Sequence, residues 1–399
     1  MKQEYKQLFP IFSYHPEVTY LDSAATTQKP KEVLDAVMDY FEHSCANAHR
    51  GSYSWATASA KRIASVREQV ANYIQASPHE VVFTSGATES LNLVALCWGL
   101  SNLTDGDEII LCQQDHSSMI EPWQRMQSQL KQQQKNIHIH YVNITPEGTV
   151  DLVHLKSLIS ARTRLVGVTH IHNIFGNRND IEQIRSILPQ QTLICLDATQ
   201  SIAHIPISAA SLGVDFIAFA GHKMFAESGI GILWIKEHLH KDIQPLMSGG
   251  KGTVDTSVGF YLPTALEVGT SNINGIISLG AALTFILKIG PKEIESMINE
   301  LTLYAYKKLS ELKNIEFLPG IAFDKSLKGY GILSFSLANT RIDDIAERLN
   351  ARAIFLRTGH YCNLHSHYFD DAIRVSLHIY NTKEDIDLIV DILSEIPLS

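Results

Sequence analysis

Short apolar runs alternate with longer helix-like stretches between about residue 60 and residue 235. Seven of these runs predict β-strands, at 81–84, 108–112, 137–142, 164–170, 192–197, 214–220 and 230–235. Strands that are separated by helix-length segments indicate crossover connections and a mainly parallel sheet covered on both faces. The last two runs are too close together for a long helix between them, so we expect that pair to be antiparallel.

The pattern changes from about residue 276 onward. Helix-like stretches at 276–288, 291–314, 342–350 and 382–395 are interleaved with short apolar runs near 331–337, 353–357 and 372–377. This alternation predicts a smaller α+β unit. We therefore expect an N-terminal segment over residues 1–15, a large α/β domain over 16–275 and a small C-terminal domain over 276–399.

Composition limits the classes of function. The chain has 399 residues, is 45% hydrophobic and carries a formal net charge of −9. With no basic cluster to offset that charge, nucleic acid and an anionic membrane surface are disfavoured as partners. The N-terminus "MKQEYKQLFPIF" lacks the continuous apolar region of a signal peptide. These features predict a soluble, cytoplasmic protein.

The five cysteines are scattered and contain no C-x-x-C pair, which favours neither a disulfide framework nor a zinc ribbon. Cys97, Cys112 and Cys195 lie in apolar runs and are expected to be small core residues. Cys362 lies in the polar, glycine-containing segment "LRTGHYCNLHSH". It is therefore the cysteine that we consider a candidate for chemistry.

Polar residues follow the carboxyl ends of several predicted strands, where an open parallel sheet binds its ligands. The turn "SGATES" after 81–84 opens a helix whose N–H groups suit a phosphate. The later strands deliver a set of functional side chains to the same edge: His116, Asn173, Asp197 with Gln200, and His222 with Lys223.

Each of these residues also has an ordinary structural explanation. Asp197 suits a helix cap, Asn173 a turn, and Lys223 a solvated loop. Together they match the needs of pyridoxal phosphate, namely a lysine for the Schiff base, an acid for the pyridinium nitrogen and donors for the phosphate. A dinucleotide site is disfavoured because no G-x-G-x-x-G follows the first strand, and "SGGKGT" lacks the Walker A spacing.

A series of motifs then identifies a family. "YLDSAATTQKP", "NAHRG", "GATESLNLVA", "DHSSMIEPW", "THIHNIFG", "DATQS", "GHKMF", "EVGTSN", "RTGHYC" and "IRVSLHIYNT" occur in this order. From about residue 20 to residue 390 the chain resembles the group II cysteine desulfurases, the SufS/CsdA-like branch of the class V aminotransferases. The resemblance implies a fold-type I enzyme that depends on pyridoxal phosphate.

The resemblance also implies roles for the residues that hold the cofactor. Lys223 forms the Schiff base and later moves protons at the substrate Cα, and Asp197 pairs with the pyridinium nitrogen. His116 stacks on the ring and is a further catalytic residue, as an acid–base group. The remaining contacts fall to Asn173 and Gln200 near the ring oxygen, to Ala87, Thr88 and His222 at the phosphate, and to Thr270 at the phosphate of the other subunit. Thr270 in this role implies a homodimer with shared active sites.

The resemblance implies a sulfur-transfer reaction on L-cysteine. Arg374 binds the substrate carboxylate, with Asn173 beside it, and His49 and Arg50 line the substrate entrance. The Cys362 thiolate takes the sulfur as a persulfide and leaves alanine, with His360 or Arg357 favouring the thiolate. A SufE-like acceptor or a scaffold protein then receives the sulfur for iron–sulfur cluster or other sulfur-cofactor assembly.

Several positions depart from the family pattern. Ala220 stands where the family has a phosphate-binding serine, which predicts weaker retention of the cofactor. "FAESG" brings Glu227 and Ser228 near the site, "GTSN" and "CNLHSH" replace the family's sequences, and the stretch 250–267 is shortened.

Three alternatives stay open at this point. The first is a lyase or aminotransferase acting on another amino acid such as selenocysteine, with Cys362 incidental. The second is a soft-metal site formed by His360, Cys362, His365 and His367. The third is a cofactor-poor homologue that serves as an interaction scaffold.

Overall fold

A central sheet organises the protein in its computed structural model, which describes residues 5–48, 51–250, 261–318, 328–338, 340–359, 361 and 372–395. Within these ranges the strands are β1 (Thr19–Tyr20), β2 (Val81–Thr84), β3 (Glu108–Cys112), β4 (His138–Val142), β5 (Thr163–Thr169), β6 (Leu193–Asp197), β7 (Phe216–Ala220), β8 (Gly231–Ile235), β9 (Ile315–Phe317), β10 (Ile332–Leu337), β11 (Ile354–Phe355), β12 (Arg357–Thr358) and β13 (Ile373–Ser376).

The α-helices of the described ranges surround the sheets. They are α1 (Ile11–Tyr14), α2 (Lys31–His43), α3 (Ser54–Tyr73), α4 (Ala87–Leu93), α5 (Leu100–Asn102), α6 (Ser117–Gln132), α7 (Leu152–Leu158), α8 (Ile181–Ile187), α9 (Ile273–Ile289), α10 (Pro291–Ser310), α11 (Ile342–Ala351) and α12 (Lys383–Ser394). A π-helical stretch, Val94–Gly99, joins α4 to α5.

The large sheet has seven strands in the order β2-β8-β7-β6-β5-β3-β4. All neighbouring pairs are parallel except those of β8, which is antiparallel to both β2 and β7. Gly231 at the start of β8 lies opposite Thr84 at the end of β2 and Ala220 at the end of β7. The carboxyl ends of the parallel strands and the start of β8 therefore meet at one edge of the sheet.

Both faces of this sheet are buried, as expected for parallel strands with crossover helices. Alternate strand residues such as Val81, Ile110 and Leu196 pack with α3, α8 and α9, whereas Val82 and Ile109 pack with α4 and α6. The apolar runs are nearly continuous for this reason, since each strand needs apolar side chains on both faces.

A second sheet, in the order β12-β13-β10-β9, is antiparallel and forms the C-terminal unit with α10, α11 and α12. The chain near its N-terminus joins this unit, because β1 pairs with β11 and Asp22 forms a bridge with Ser376. The segment that follows β1 is thereby brought to the edge where the large sheet ends.

An aromatic cluster fixes the N-terminal residues. Phe9 is fully buried, and its ring centroid lies 5.7 Å from that of Phe225, 5.8 Å from Phe285 and 4.9 Å from Tyr380. These three rings come from distant parts of the chain, so Phe9 joins the turn after β7, α9 and the C-terminal segment in one core.

The predicted α/β fold is confirmed. The seven predicted strands of the large sheet occur within two residues of their expected limits, and the β7–β8 pair is antiparallel as expected. The short strands β1 and β9 were not predicted, and the proposed domain limits remain a prediction. Among the described residues no single helix is long and apolar enough to cross a membrane; only α9 and α10 taken together, across a 77° bend, meet the length and composition.

Candidate active site

A cavity of about 420 Å³ opens at the carboxyl edge of the large sheet. Its volume falls in the range of small-molecule sites. The lining includes most of the residues that the sequence assigns to a cofactor site: Ala87, Thr88, His116, Asn173, Asp197, Gln200, His222, Lys223 and Arg374. The structure therefore brings together residues that are far apart in the sequence.

Lys223 ends a single 3₁₀ turn, Gly221–Lys223, directly after β7. A side chain at Gly221 would approach Ile230 Cγ2 to 2.7 Å, so the tight turn requires glycine there. The Lys223 amine donates hydrogen bonds to the carbonyl oxygens of Ala24 and Ala25, the latter at 2.7 Å. Burial, with the positive charge of Arg374 next, lowers the pKa of Lys223 to about 8. A much larger fraction of this amine is neutral at physiological pH than is usual for lysine.

Asp197 is the last residue of β6 and is buried at 5% exposure. Its Oδ1 accepts a hydrogen bond from the Thr199 N–H at 2.9 Å. A second carboxyl group, Asp115, is fully buried beside the end of β5, where its Oδ2 accepts from the Thr169 N–H at 3.0 Å. Burial, and then the charge of Asp197, raise the pKa of Asp115 to about 7. Of these two acids, Asp197 lines the cavity and Asp115 does not.

His116 caps the N-terminus of α6, where its Nδ1 accepts from the Ser118 N–H at 3.2 Å and lies 2.7 Å from the Ser118 hydroxyl. Accepting from the backbone places the ring proton on Nε2. Burial lowers the pKa of His116. The imidazole is therefore neutral and fixed in one orientation in the cavity wall.

Two amide side chains complete this wall. Gln200 donates to the Ala24 carbonyl oxygen at 2.9 Å. The Asn173 side-chain oxygen is buried without a hydrogen-bond partner among the described residues, as are the hydroxyls of Thr169 and Thr199, which also line the cavity. Buried polar groups are normally paired, so these three oxygens indicate that a polar ligand belongs in the cavity.

The turn before α4 forms the seat for an anion. Gly231 lets the backbone of Gly86 approach closely, because a side chain on Gly231 would lie 2.4 Å from Gly86 Cα. The first N–H groups of the helix, at Ala87 and Thr88, have no intrahelical acceptors and carry the positive end of the dipole. His222 lines the same end of the cavity, and burial, with Lys223 and Lys29 next, lowers its pKa to about 4.

Arg374 lies on β13 and is only 3% exposed. Its Nη1 donates to the Asn173 carbonyl oxygen at 2.9 Å and its Nη2 to Asp22 Oδ1 at 2.8 Å. Arg357, its partner across the β12–β13 pair, donates to Asp22 Oδ2 at 3.4 Å. Two arginines thus share one carboxylate, which leaves a local excess of positive charge at Arg374 and Arg357 that suits an anionic substrate.

The remaining predicted site residues are not among the described residues that line this cavity. Thr270 lines a neighbouring depression that shares Ser85, Glu89 and Gly229 with it. His49, Arg50, Cys362 and the histidine-rich segment proposed as a metal site (His360, His365, His367) lie outside the described residues, as does most of the 250–267 stretch.

The structure adds site residues that the sequence reasoning missed. They are Asp22, Ala24, Ala25 and Tyr361, and all but Asp22 line the cavity. Tyr361 donates to the Ala372 carbonyl oxygen at 3.0 Å and packs 5.5 Å from the Arg374 guanidinium. All four residues lie within the motifs "YLDSAATTQKP" and "RTGHYC". Their position in these motifs is the feature of the sequence that could have indicated them.

Comparison with known proteins decides the family. A model of the family described as aminotransferase class-V matches residues 19–389, nearly the whole chain. The chain belongs to this family.

The chain resembles proteins named as cysteine desulfurases or probable cysteine desulfurases over nearly their whole length. It is 37% identical to the probable cysteine desulfurase of Halalkalibacterium halodurans, covering 96% of this chain and 95% of that protein, and 36% identical to that of Synechocystis sp., covering 97% and 94%. The apo structure of the cysteine desulfurase of Thermococcus onnurineus NA1 superposes with a TM-score of 0.89 at 30% identity, covering 99% of this chain and 98% of that one. The family indicated by the sequence motifs is confirmed.

Proposed function

We propose that this protein is a cysteine desulfurase that depends on pyridoxal phosphate and converts L-cysteine to L-alanine with transfer of sulfur to Cys362. The observation that supports it best is the buried Lys223 amine, with its pKa lowered to about 8, in one cavity with Asp197 and Arg374. The relatives named probable cysteine desulfurase, which match nearly the whole chain, support the same reaction.

The cavity fits the cofactor. The seat at Ala87, Thr88 and His222 suits its phosphate, the Asp197 carboxylate its pyridinium nitrogen, and Lys223 its aldehyde carbon. The buried oxygens of Thr169, Asn173 and Thr199, which lack partners among the described residues, gain polar neighbours when a ligand of this kind binds. When bound, pyridoxal phosphate supplies an electron sink for the bonds at the substrate's α- and β-carbons.

The side chains of the cavity each have a task. Arg374 binds the carboxylate of L-cysteine, since a guanidinium matches that group with two parallel hydrogen bonds. Lys223 transfers protons to and from the substrate Cα. Neutral His116 donates its Nε2–H to an oxygen atom in the cavity.

Sulfur transfer is balanced without an added oxidant. The Cys362 thiolate forms a bond to the substrate sulfur as the bond between that sulfur and Cβ breaks. The electron pair of the broken bond stays on Cβ, which takes a proton and becomes the methyl group of alanine. One thiol and one cysteine thus give one persulfide and one alanine.

The proposal includes a homodimer, a SufE-like sulfur acceptor and a cytoplasmic location with a role in iron–sulfur cluster or other sulfur-cofactor assembly. Support for the dimer comes from Thr270, which lines a depression next to the cavity rather than the cavity itself, and from the exposed apolar residues Leu246, Met247 and Tyr261. The free thiols of Cys45, Cys97, Cys112 and Cys195 are consistent with a reducing compartment.

Lysine mapping tests the cofactor assignment. Borohydride should fix a pyridoxyl group on one lysine of the protein incubated with pyridoxal phosphate, and peptide mass spectrometry should find it on Lys223. Lys29 is a stringent control because burial also lowers its pKa to about 8. Modification in Lys223→Ala at the parent level, or modification on Lys29, would contradict the proposal.

A further inference from the structure

The turn that carries Lys223 contains a costly backbone conformation. Phe225, two residues after the lysine, has φ of +70°. For a bulky residue this left-handed region costs on the order of 1–3 kcal/mol and persists only where the surroundings hold it. The Phe225 ring is fully buried, with its centroid 5.4 Å from that of Phe285 and 4.5 Å from that of His378. Packing in the core holds the Phe225 ring. The backbone of Phe225 needs a further contact to stay at this positive φ.

The Thr27 side chain holds that backbone. Its hydroxyl accepts a hydrogen bond from the Phe225 N–H at 2.8 Å and donates to the His222 carbonyl oxygen at 3.1 Å. The Thr27 N–H donates to the same carbonyl oxygen at 2.9 Å. One residue therefore bridges the two sides of Lys223, across residues 222–225, and it does so at only 2% exposure.

Neighbours in the segment 24–29 keep Thr27 in place. The Thr26 hydroxyl donates to the His222 carbonyl oxygen at 3.3 Å, and the Lys29 ammonium donates to the Thr27 carbonyl oxygen. The Lys223 amine itself bonds to the carbonyl oxygens of Ala24 and Ala25. A single short segment thus holds both the lysine's turn and its amine.

We propose that Thr27 is a positioning residue for Lys223, which it serves by clamping the strained turn between His222 and Phe225. Thr27 does not belong to the described cavity lining, so its effect on the reaction passes through the lysine. The inference rests on the proposed function in one respect only, namely that the group bound by Lys223 is pyridoxal phosphate.

Loss of the hydroxyl has a defined consequence. Thr27→Val keeps the shape but leaves the buried Phe225 N–H without its acceptor, which is unfavourable. Relaxation of the turn then admits water to the amine. Because burial is the main reason that the pKa of Lys223 lies near 8, added solvation raises that pKa towards its ordinary value.

A matched control exists in the C-terminal unit. The Thr302 hydroxyl donates to the Ile298 carbonyl oxygen at 2.6 Å and accepts from the Gly331 N–H at 2.9 Å. Thr302 is fully buried, and Gly331 also has a positive φ of +81°. Thr302→Val therefore removes an equivalent pair of hydroxyl hydrogen bonds, also next to a residue with positive φ, but at a place away from the cavity.

The test measures acylation of the Lys223 amine at a series of pH values, in the full chain freed of cofactor, by peptide mass spectrometry. The pH at half-maximal acylation, the midpoint, is then compared between the parent protein and its variants. Thr27→Val should raise this midpoint by about half a pH unit or more. With cofactor, it should lower kcat for L-cysteine about 10- to 100-fold, as expected for a misplaced catalytic group, with little change in KM. Thr27→Ser and Thr302→Val should keep the parental midpoint, and Thr27→Ala provides a second variant without the hydroxyl.

The two possible failures are separable. A parental midpoint in both hydroxyl-free variants, or an equal rise in Thr302→Val, would overturn the role of Thr27. A parent protein that fixes no pyridoxyl group on Lys223 would instead contradict the proposed function, and the acylation midpoints would still decide the role of Thr27.

Discussion

The Arg374 guanidinium bonds to the Asp22 carboxylate at 2.8 Å, although the two residues are 352 positions apart in the sequence. A second nitrogen, Nη1, is held by the Asn173 carbonyl oxygen, and Nε is buried without a partner among the described residues. Asp22 thus fixes the plane of the guanidinium before a substrate arrives, while leaving an N–H group free for it.

This arrangement predicts that a lysine cannot replace Arg374. Arg374→Lys keeps the charge but loses the planar fork, so it loses one of two charge-assisted hydrogen bonds to the substrate carboxylate, each of about 1.5–3 kcal/mol. We expect kcat/KM for L-cysteine to fall about 10- to 100-fold. Arg352→Lys, at a surface pair with Glu395, is the control and should match the parent in steady-state assays. If Arg374→Lys and Arg352→Lys changed kcat/KM equally, the effect would not be specific to Arg374, and its role in binding the substrate would be contradicted.

Asp22 is predicted to keep the pKa of Lys223 from falling further than burial and Arg374 already lower it. The Asp22 charge raises that pKa, in opposition to burial and to the two arginines. Asp22→Asn should therefore lower the acylation midpoint of the Lys223 amine below the parental value near 8. Asp35→Asn, which removes an exposed acid on α2, should leave it unchanged. A midpoint that rises in Asp22→Asn would refute this electrostatic account.

Buried histidines predict a loss of stability in acid. Burial lowers the pKa of His204 to about 4 and that of His378 well below its ordinary value, and their rings lie 5.0 Å apart. Below about pH 6.5 the unfolded chain binds a proton at each of these two histidines, whereas the folded chain does not. Their stabilising contribution is therefore complete above that pH and decreases by up to about 1.4 kcal/mol per pH unit per histidine as the pH falls towards 4.

Urea unfolding at several pH values between 7.5 and 4.5 measures this effect. His204→Gln should reduce the slope of the unfolding free energy against pH, whereas exposed His43→Gln should leave it unchanged. An unchanged slope in His204→Gln would exclude this histidine as a source of the acid sensitivity.

Ala220 predicts weak cofactor retention. It is buried at the end of β7 and lines the cavity, at the position where the resemblance to the group II cysteine desulfurases implies a serine. Ala220→Ser adds a donor for the phosphate, and a hydrogen bond to a charged group is worth about 1.5–3 kcal/mol, so we expect the Kd for pyridoxal phosphate to fall about tenfold or more. Ala218→Ser, two residues earlier on the same strand and enclosed in the apolar core, should give no gain. Equal affinities of Ala220→Ser and the parent in a fluorescence titration would disprove the prediction.

The sequence predicted the large sheet well because its strands are buried on both faces and read as clear apolar runs. It also placed Asp197 and Lys223 at one edge, since side chains after parallel strands must meet there. It did not reveal Ala24 and Ala25, which act through carbonyl oxygens that every residue has, nor the Thr27 clamp, which depends on one backbone angle. Asp22 escaped notice because its partner lies on a distant strand of the other sheet.

The most direct test of the account is the release of alanine and sulfide from L-cysteine in the presence of a reductant and pyridoxal phosphate. The parent protein and Cys45→Ala, which removes an exposed thiol elsewhere, should form both products. Lys223→Ala and Cys362→Ala should form neither at a comparable rate. Desulfuration that survives in Cys362→Ala, or alanine formation that survives in Lys223→Ala, would contradict the proposed mechanism.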